Sequence, residues 1–242
     1  MRRRMLVLGL LALGLALPGC GGRKGALQHP ITNELDPVYD TMNIRTLAAL
    51  PFASDVGDDD DPDRIAAQMV QSKFYAALGL DTGFTVLPAS EVERVVESAG
   101  LKPMMDDFYK DWISDQEDVD EEFVRAVAER LEVQAVVGGA VDVWYQEEVD
   151  LTESGTARTH VGVLIGVFDG STGKRLWLAR DENSQDALRY PGPGAISAQE
   201  LQRGVERSNR RTAGGVYAPP DFSDVVDILV GALVDAFPPS AP

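Results

Sequence analysis

The spacing of apolar positions along this chain changes several times, and each change marks an element. Ile44–Phe52 is an apolar run suited to a buried, central strand that Pro51 ends. Asp55–Asp63 follows as an acidic turn. From Asp63 to Leu78, residues Ile65, Ala66, Met69, Phe74, Ala77 and Leu78 share one helical face. Gly79 and Gly83 lead into a second strand, Phe84–Pro88. Ser90 and Glu93 have capping-box spacing, which predicts a helix from Ser90 to Ala99 with Gly100 as its stop. A short helix over 104–114 carries Phe108, Tyr109 and Trp112. A longer one from Asp120 to Leu131 turns Phe123, Val124, Val127 and Leu131 inward.

At Val133 the period drops to two. Val133–Tyr145 alternates Val137, Val141 and Val143 with smaller or polar residues, as a half-buried strand does. An acidic connection, Glu147–Gly155, leads to a second β run, Arg158–Phe168. Asp169-Gly170-Ser171-Thr172-Gly173 is turn chemistry, and Lys174–Arg180 pairs back as a hairpin. Residues 183–220 read as an inserted loop rich in proline, with one short helix opened by Ser197 and Glu200. The final helix, Asp221–Phe237, has Val225, Ile228, Leu229, Ala232, Leu233 and Ala236 at core spacing.

These elements predict an α/β fold: a mixed five-stranded sheet flanked by helices, one domain spanning 44–238 with the insert at 183–220. Helical crossovers make the first three strands parallel, and hairpins make the last three antiparallel.

Residues 1–19 have the organisation of a signal peptide and stand apart from the fold. Arg2, Arg3 and Arg4 form a positive start, and Met5–Leu17 is an apolar run too short for a comfortable membrane span. Leu17-Pro18-Gly19-Cys20 resembles the lipobox of bacterial lipoproteins, with Leu at its first position, a small residue before the cysteine and the chain's only cysteine in place. The resemblance implies lipidation of Cys20, which then becomes the mature N-terminus and anchors the chain in a membrane. Several acyl chains give a stable anchor where one gives only marginal binding. By the same pattern Gly21, in place of Asp, points to the outer membrane, on its periplasmic face. Residues 20–43 then read as the lipidated cysteine and a flexible tether, with a reach of roughly 25 Å.

Charge narrows the partners. The 242 residues carry 22 Lys+Arg against 39 Asp+Glu, a net charge of −17, and loss of residues 1–19 removes three arginines and no acid. A phosphate-tracking surface must be basic, so no nucleic-acid partner is expected. Anionic headgroups would not attract such a chain either; the lipid does the anchoring. One Cys and two His leave too few soft ligands for a structural zinc site and no intrachain disulfide.

Leu47-Ala48-Ala49-Leu50-Pro51-Phe52 resembles the opening I-A-V-L-P-F strand of a group of Gram-negative periplasmic proteins. Gly83–Leu87 resembles the group's second strand, Ala135–Gly139 its ADAVVTG-S strand, and Asp169–Leu176 its D-x-x-T-G-x-x-L/V-W hairpin. The group includes the curli secretion lipoprotein, activators of penicillin-binding proteins, ABC-transport auxiliary lipoproteins and the N-terminal domain of TolB. The resemblance implies a TolB-N-terminal-like fold and an envelope location. Its members act as pores, activators and scaffolds, so it transfers architecture better than function. Acids at Glu147, Glu148, Asp150 and Glu153 interrupt the one hairpin that could cross a bilayer, and the short tether argues against reaching through peptidoglycan.

Catalytic signatures are weak. Gly170–Lys174 is no phosphate loop, because Phe168 stands where the first Gly belongs and Arg175 where Ser or Thr belongs. His160 lies in a strand with no nucleophile elbow in the chain, and reads as a structural or surface histidine. Asp55, Asp58, Asp59, Asp60, Asp61 and Asp63 lack the order of a calcium loop. No cofactor is expected. Arg203, Arg207, Arg210 and Arg211 are four cations close together in an acidic chain, the first three at helical spacing, and are the candidate surface for an acidic partner. The expectation is a non-enzymatic, lipid-anchored interaction or assembly module of an envelope complex. The alternative is a homo-oligomeric secretion or transport component.

Overall fold

Thr46–Ala49 forms a strand because its side chains must be buried on both sides, and the computed structural model places helices on both. The structure describes residues 31–62, 64–115, 119–148, 155–190 and 219–240. In chain order the elements are β1 (Thr32–Leu35), a 3-10 turn (Tyr39–Thr41), β2 (Thr46–Ala49), β3 (Ala53–Ser54), α1 (Ala66–Asp81), β4 (Thr85–Leu87), α2 (Ala89–Ser98), α3 (Lys102–Ser114), α4 (Glu121–Leu131), β5 (Ala135–Glu147), β6 (Gly155–Asp169), β7 (Arg175–Tyr190) and α5 (Phe222–Asp235).

The strands make one mixed sheet in the order β1-β7-β6-β5-β2-β4, with β3 also on β5. β2 runs parallel to β4 and β5, while β5, β6 and β7 are antiparallel neighbours, as the crossovers and hairpins require. Alternation splits the side chains between two layers. Leu47, Val137, Val163, Ile165 and Trp177 pack with α1 and α5 on one face. Ala48, Val136, Ala140, Leu164 and Phe168 pack with α2, α3 and α4 on the other.

Among the described residues the sheet has seven strands where five were expected, and the two extra ones carry little hydrophobic signal. β1 lies inside the stretch read as tether. All four of its side chains are exposed, and it is held by backbone pairing of Thr32–Leu35 to Arg180–Trp177. β3 is a two-residue continuation of β2 past Pro51. β2 is also not central: it lies one strand in from the edge strand β4.

β7 continues to Tyr190, so residues 183–190, expected to open the insert, are strand. Their polar run Asn183-Ser184-Gln185-Asp186 hides the period, and the ladder to Gly155–Val161 of β6 holds them. Residues 191–218, with Arg203, Arg207, Arg210 and Arg211 and the expected Ser197–Glu200 helix start, lie outside the described residues, as does Cys20.

Helix ends follow local chemistry. Asp120 caps α4, accepting from the N–H groups of Glu122 and Phe123 at 3.0 Å each. The expected capping box at Ser90 is not formed. α2 starts one residue earlier, with Pro88 in the cap position and no side-chain cap bond. Gly100 does stop α2: it has φ +69°, and Leu101 N–H reaches back to the Val96 carbonyl at 2.8 Å.

Candidate functional site

Three places the sequence singled out can be located. Asp169 closes the hairpin turn: its carboxylate accepts from Ser171 N–H at 3.0 Å and Thr172 N–H at 3.2 Å, and from both hydroxyls. Burial raises the Asp169 carboxyl, but the donors of Thr172 and Ser171 outweigh it and hold it below its ordinary value. Gly173 supplies the positive φ the turn needs, at +83°. This is turn chemistry, with a strand after it and no phosphate cradle.

In the acidic turn, Asp61 is buried and accepts from Ile65 N–H at 2.9 Å and Ala66 N–H at 3.0 Å, tying the turn to the start of α1. Asp58 pairs with Arg64 at 3.0 Å on the surface. Among the described residues no group of three or more His, Cys, Asp and Glu is arranged to hold a metal ion.

His160 is the third. It sits on β6 opposite Tyr145 of β5 and Ser184 of β7, and is 8% exposed. The Tyr145 ring stacks on the imidazole with centroids 4.3 Å apart and planes 9° from parallel. Nδ1 lies 3.3 Å from Glu182 Oε1, and Nε2 lies 3.8 Å from Glu147 Oε2. Sequence reasoning missed Tyr145, Glu147 and Glu182 as neighbours. Finding Tyr145 and Glu147 requires the bulged register of β5 on β6, and finding Glu182 requires the register of β7 past Arg180, where the expected strand ended.

The same face of β5, β6 and β7 carries further charge pairs. Arg180 meets Asp142 at 2.7 Å and Arg158 meets Asp186 at 2.6 Å. A β-bulge at Asp142 shifts the alternation of β5, which brings Tyr145 and Glu147 onto this face. The opposite face of the same strands is closed by α5. Trp144 stacks flat on Phe222 at 4.0 Å, while Gln146 donates to the Pro220 carbonyl at 2.8 Å and Thr159 also bonds it.

An open cavity of about 420 Å³ lies at the other end of the sheet, between Asn43, Ile44, the end of α4 at Glu129 and Glu132, and the Asp169 turn. Gln134 spans its floor, its side-chain oxygen accepting from Arg45 N–H at 2.7 Å and its amide donating to the Asn43 carbonyl at 2.7 Å. Glu132 ends α4 in the left-handed region at φ +53°.

No protein-family profile and no curated protein matches the chain. Solved structures similar to it include the lipoprotein GNA1162 from Neisseria meningitidis, at 16% identity over 69% of this chain and 96% of that one, with a TM-score of 0.43. A PelC dodecamer from Paraburkholderia phytofirmans is similar at 14% identity, 65% and 84% coverage, and a TM-score of 0.39. The LpoB C-terminal domain from Salmonella enterica follows at 12% identity, 60% and 87% coverage, and a TM-score of 0.38. At such identities and TM-scores the likeness conveys no activity, substrate or partner. Among the described residues no helix is long and apolar enough to cross a membrane.

Proposed function

We propose that this chain is a lipid-anchored envelope protein, held at the periplasmic face of the outer membrane through Cys20, and that it serves as a non-catalytic interaction module. The observation that carries this reading is Leu17-Pro18-Gly19-Cys20 placed directly after the Arg2–Arg4 and Met5–Leu17 segments, with the only cysteine of the chain at its end. The family resemblance of Leu47–Phe52, Gly83–Leu87, Ala135–Gly139 and Asp169–Leu176 supports the same location. Pairing of β1 to β7 brings the start of the domain to residue 32. Fully extended, the chain between Cys20 and Ile31 spans at most about 40 Å, so the sheet works close to the bilayer.

The His160 imidazole lies 3.3 Å from Glu182 and 3.8 Å from Glu147, in a sheet face built of charged side chains. Recognition is therefore the favoured use of the surface, and Arg203, Arg207, Arg210 and Arg211 are the proposed docking cations for an acidic partner. The test is crosslinking recovery of partners from native envelopes. Arg203, Arg207 and Arg210 changed together to Glu should lower recovery severalfold while the melting temperature moves by no more than a few degrees. Undiminished recovery would remove these arginines from the interface.

One observation keeps an oligomeric channel as the second reading: β5, β6 and β7 have 13, 15 and 16 residues, longer than the roughly 9–11 a membrane strand needs. Against it, one face of these strands carries Asp142, Arg158, Glu182 and Asp186, and the other is covered by α5. Light scattering on the purified protein separates the readings, since a discrete ring of many chains would favour the channel.

A further inference from the structure

The helical layer of α2, α3 and α4 covers its face of the sheet as far as Ala140, Leu164 and Leu178. Past that row the side chains on the same face turn polar, and His160 lies at their centre, buried between strands rather than under a helix. Its Nδ1 lies 3.3 Å from the acceptor Glu182 Oε1, a contact that the Nδ1–H tautomer satisfies. Nε2 is then a bare acceptor. It is buried and has no hydrogen-bond partner among the described residues, and the carboxylate oxygen Glu147 Oε2 lies 3.8 Å from it. A buried ring nitrogen left without a partner is costly. A cation between the two atoms removes that cost.

We propose that His160 and Glu147 bind a divalent transition-metal ion of the zinc class, with Glu182 as the positioning residue that orients the imidazole. An imidazole nitrogen and a carboxylate oxygen are a donor pair that suits this ion class and not calcium or magnesium, which prefer all-oxygen sets. Ligands at about 2.0–2.1 Å in tetrahedral geometry stand roughly 3.3 Å apart, so the 3.8 Å gap closes with a small turn of Glu147. The Glu147 side chain is half exposed and can make that turn, opening the site to solvent. Glu182 on Nδ1 supplies the carboxylate–histidine–metal arrangement that fixes the tautomer of a ligating histidine. Tyr145 holds the ring plane from one side. Among the described residues two protein ligands converge, so water completes the coordination and the site is weaker than a three-ligand one.

The chain has two histidines, and His29→Gln leaves His160 as the only imidazole. The test is nitrogen-15 NMR of that ring in the full chain, purified in detergent, stripped with chelator and titrated with zinc chloride near pH 7.5. The expected result is a shift of the Nε2 resonance that saturates at one ion per chain. Glu147→Gln should weaken binding tenfold or more, and Glu182→Gln by about 10- to 100-fold, the usual cost of losing such an orienting group. Both variants are isosteric and should melt within a few degrees of the parent. A ring resonance unmoved by millimolar zinc overturns the proposal, and so does an unchanged affinity in Glu147→Gln.

Discussion

The Tyr109 hydroxyl donates to the Pro51 carbonyl at 2.5 Å, from a helix on one face of the sheet. From the other face, Tyr75 of α1 donates to the neighbouring Leu50 carbonyl at 2.7 Å, and Gln71 accepts from Phe52 N–H at 2.7 Å. Pro51 breaks the β2 ladder, and the strand resumes as β3 with one extra residue relative to β5. The break would leave buried carbonyls unpaired, and the two tyrosines close it from both layers.

Tyr109→Phe should therefore destabilise by about 1–3 kcal/mol, the cost of leaving a buried acceptor unsatisfied, and Tyr75→Phe by a similar amount. Burial pushes the Tyr75 and Tyr109 hydroxyls well above their ordinary value, and burial with the Asp40 charge pushes Tyr39 up to about 12. A raised folded value means the folded state keeps protons that the unfolded state releases above about pH 10. The tyrosines' contribution should be level below that pH and fall above it. Denaturant melts at pH 8 and pH 10.5 check the sign, and the double Phe variant should show a smaller fall.

Gly139 has no room for a side chain, because a Cβ there would overlap the Phe52 ring. Gly139→Ala should cost about 1–3 kcal/mol through overpacking. Phe52→Leu in the same chain should recover part of the loss. A melting temperature for Gly139→Ala equal to the parent's would mean that Phe52 does not lie over β5.

Asp169 gathers the donors of Ser171 and Thr172 into the β6–β7 turn. Asp169→Ala should cost about 1.5–3 kcal/mol at neutral pH, as lost bonds to a charged acceptor typically do. Because the folded carboxyl is held below its ordinary value, its contribution is present above about pH 4 and is lost as pH falls through the lowered folded value. Acid titration of stability should therefore be flatter in the Ala variant than in the parent, read by fluorescence melts between pH 5 and pH 2.5.

Much of the scaffold was legible because burial writes itself into the period. Leu47, Leu50, Phe123 and Val127 were expected inward and are buried, and the aromatic face of Phe108, Tyr109 and Trp112 is buried with them. The parallel and antiparallel halves of the sheet followed from connection chemistry alone. What escaped was held by backbone pairing or by a register between distant segments. The side chains of Thr32–Leu35 are all exposed, and the strand is held mainly by its backbone pairing with β7. Asn183–Asp186 reads as loop until its ladder to β6 is seen. The neighbours of His160 come from three strands, and a bulge at Asp142 decides which residues of β5 reach it. Such a site has no one-dimensional signature.

The lipid anchor at Cys20 is the claim on which the envelope reading turns. Palmitate labelling of the full chain in a bacterial host, followed by membrane fractionation, measures it directly in parent and Cys20→Ser. The parent should carry label and sediment with outer membranes. Cys20→Ser should carry none and should keep residues 1–19, because a hydroxyl does not replace the thiol in lipid transfer. A labelled, membrane-bound Ser variant would contradict the anchor, as would an unlabelled parent.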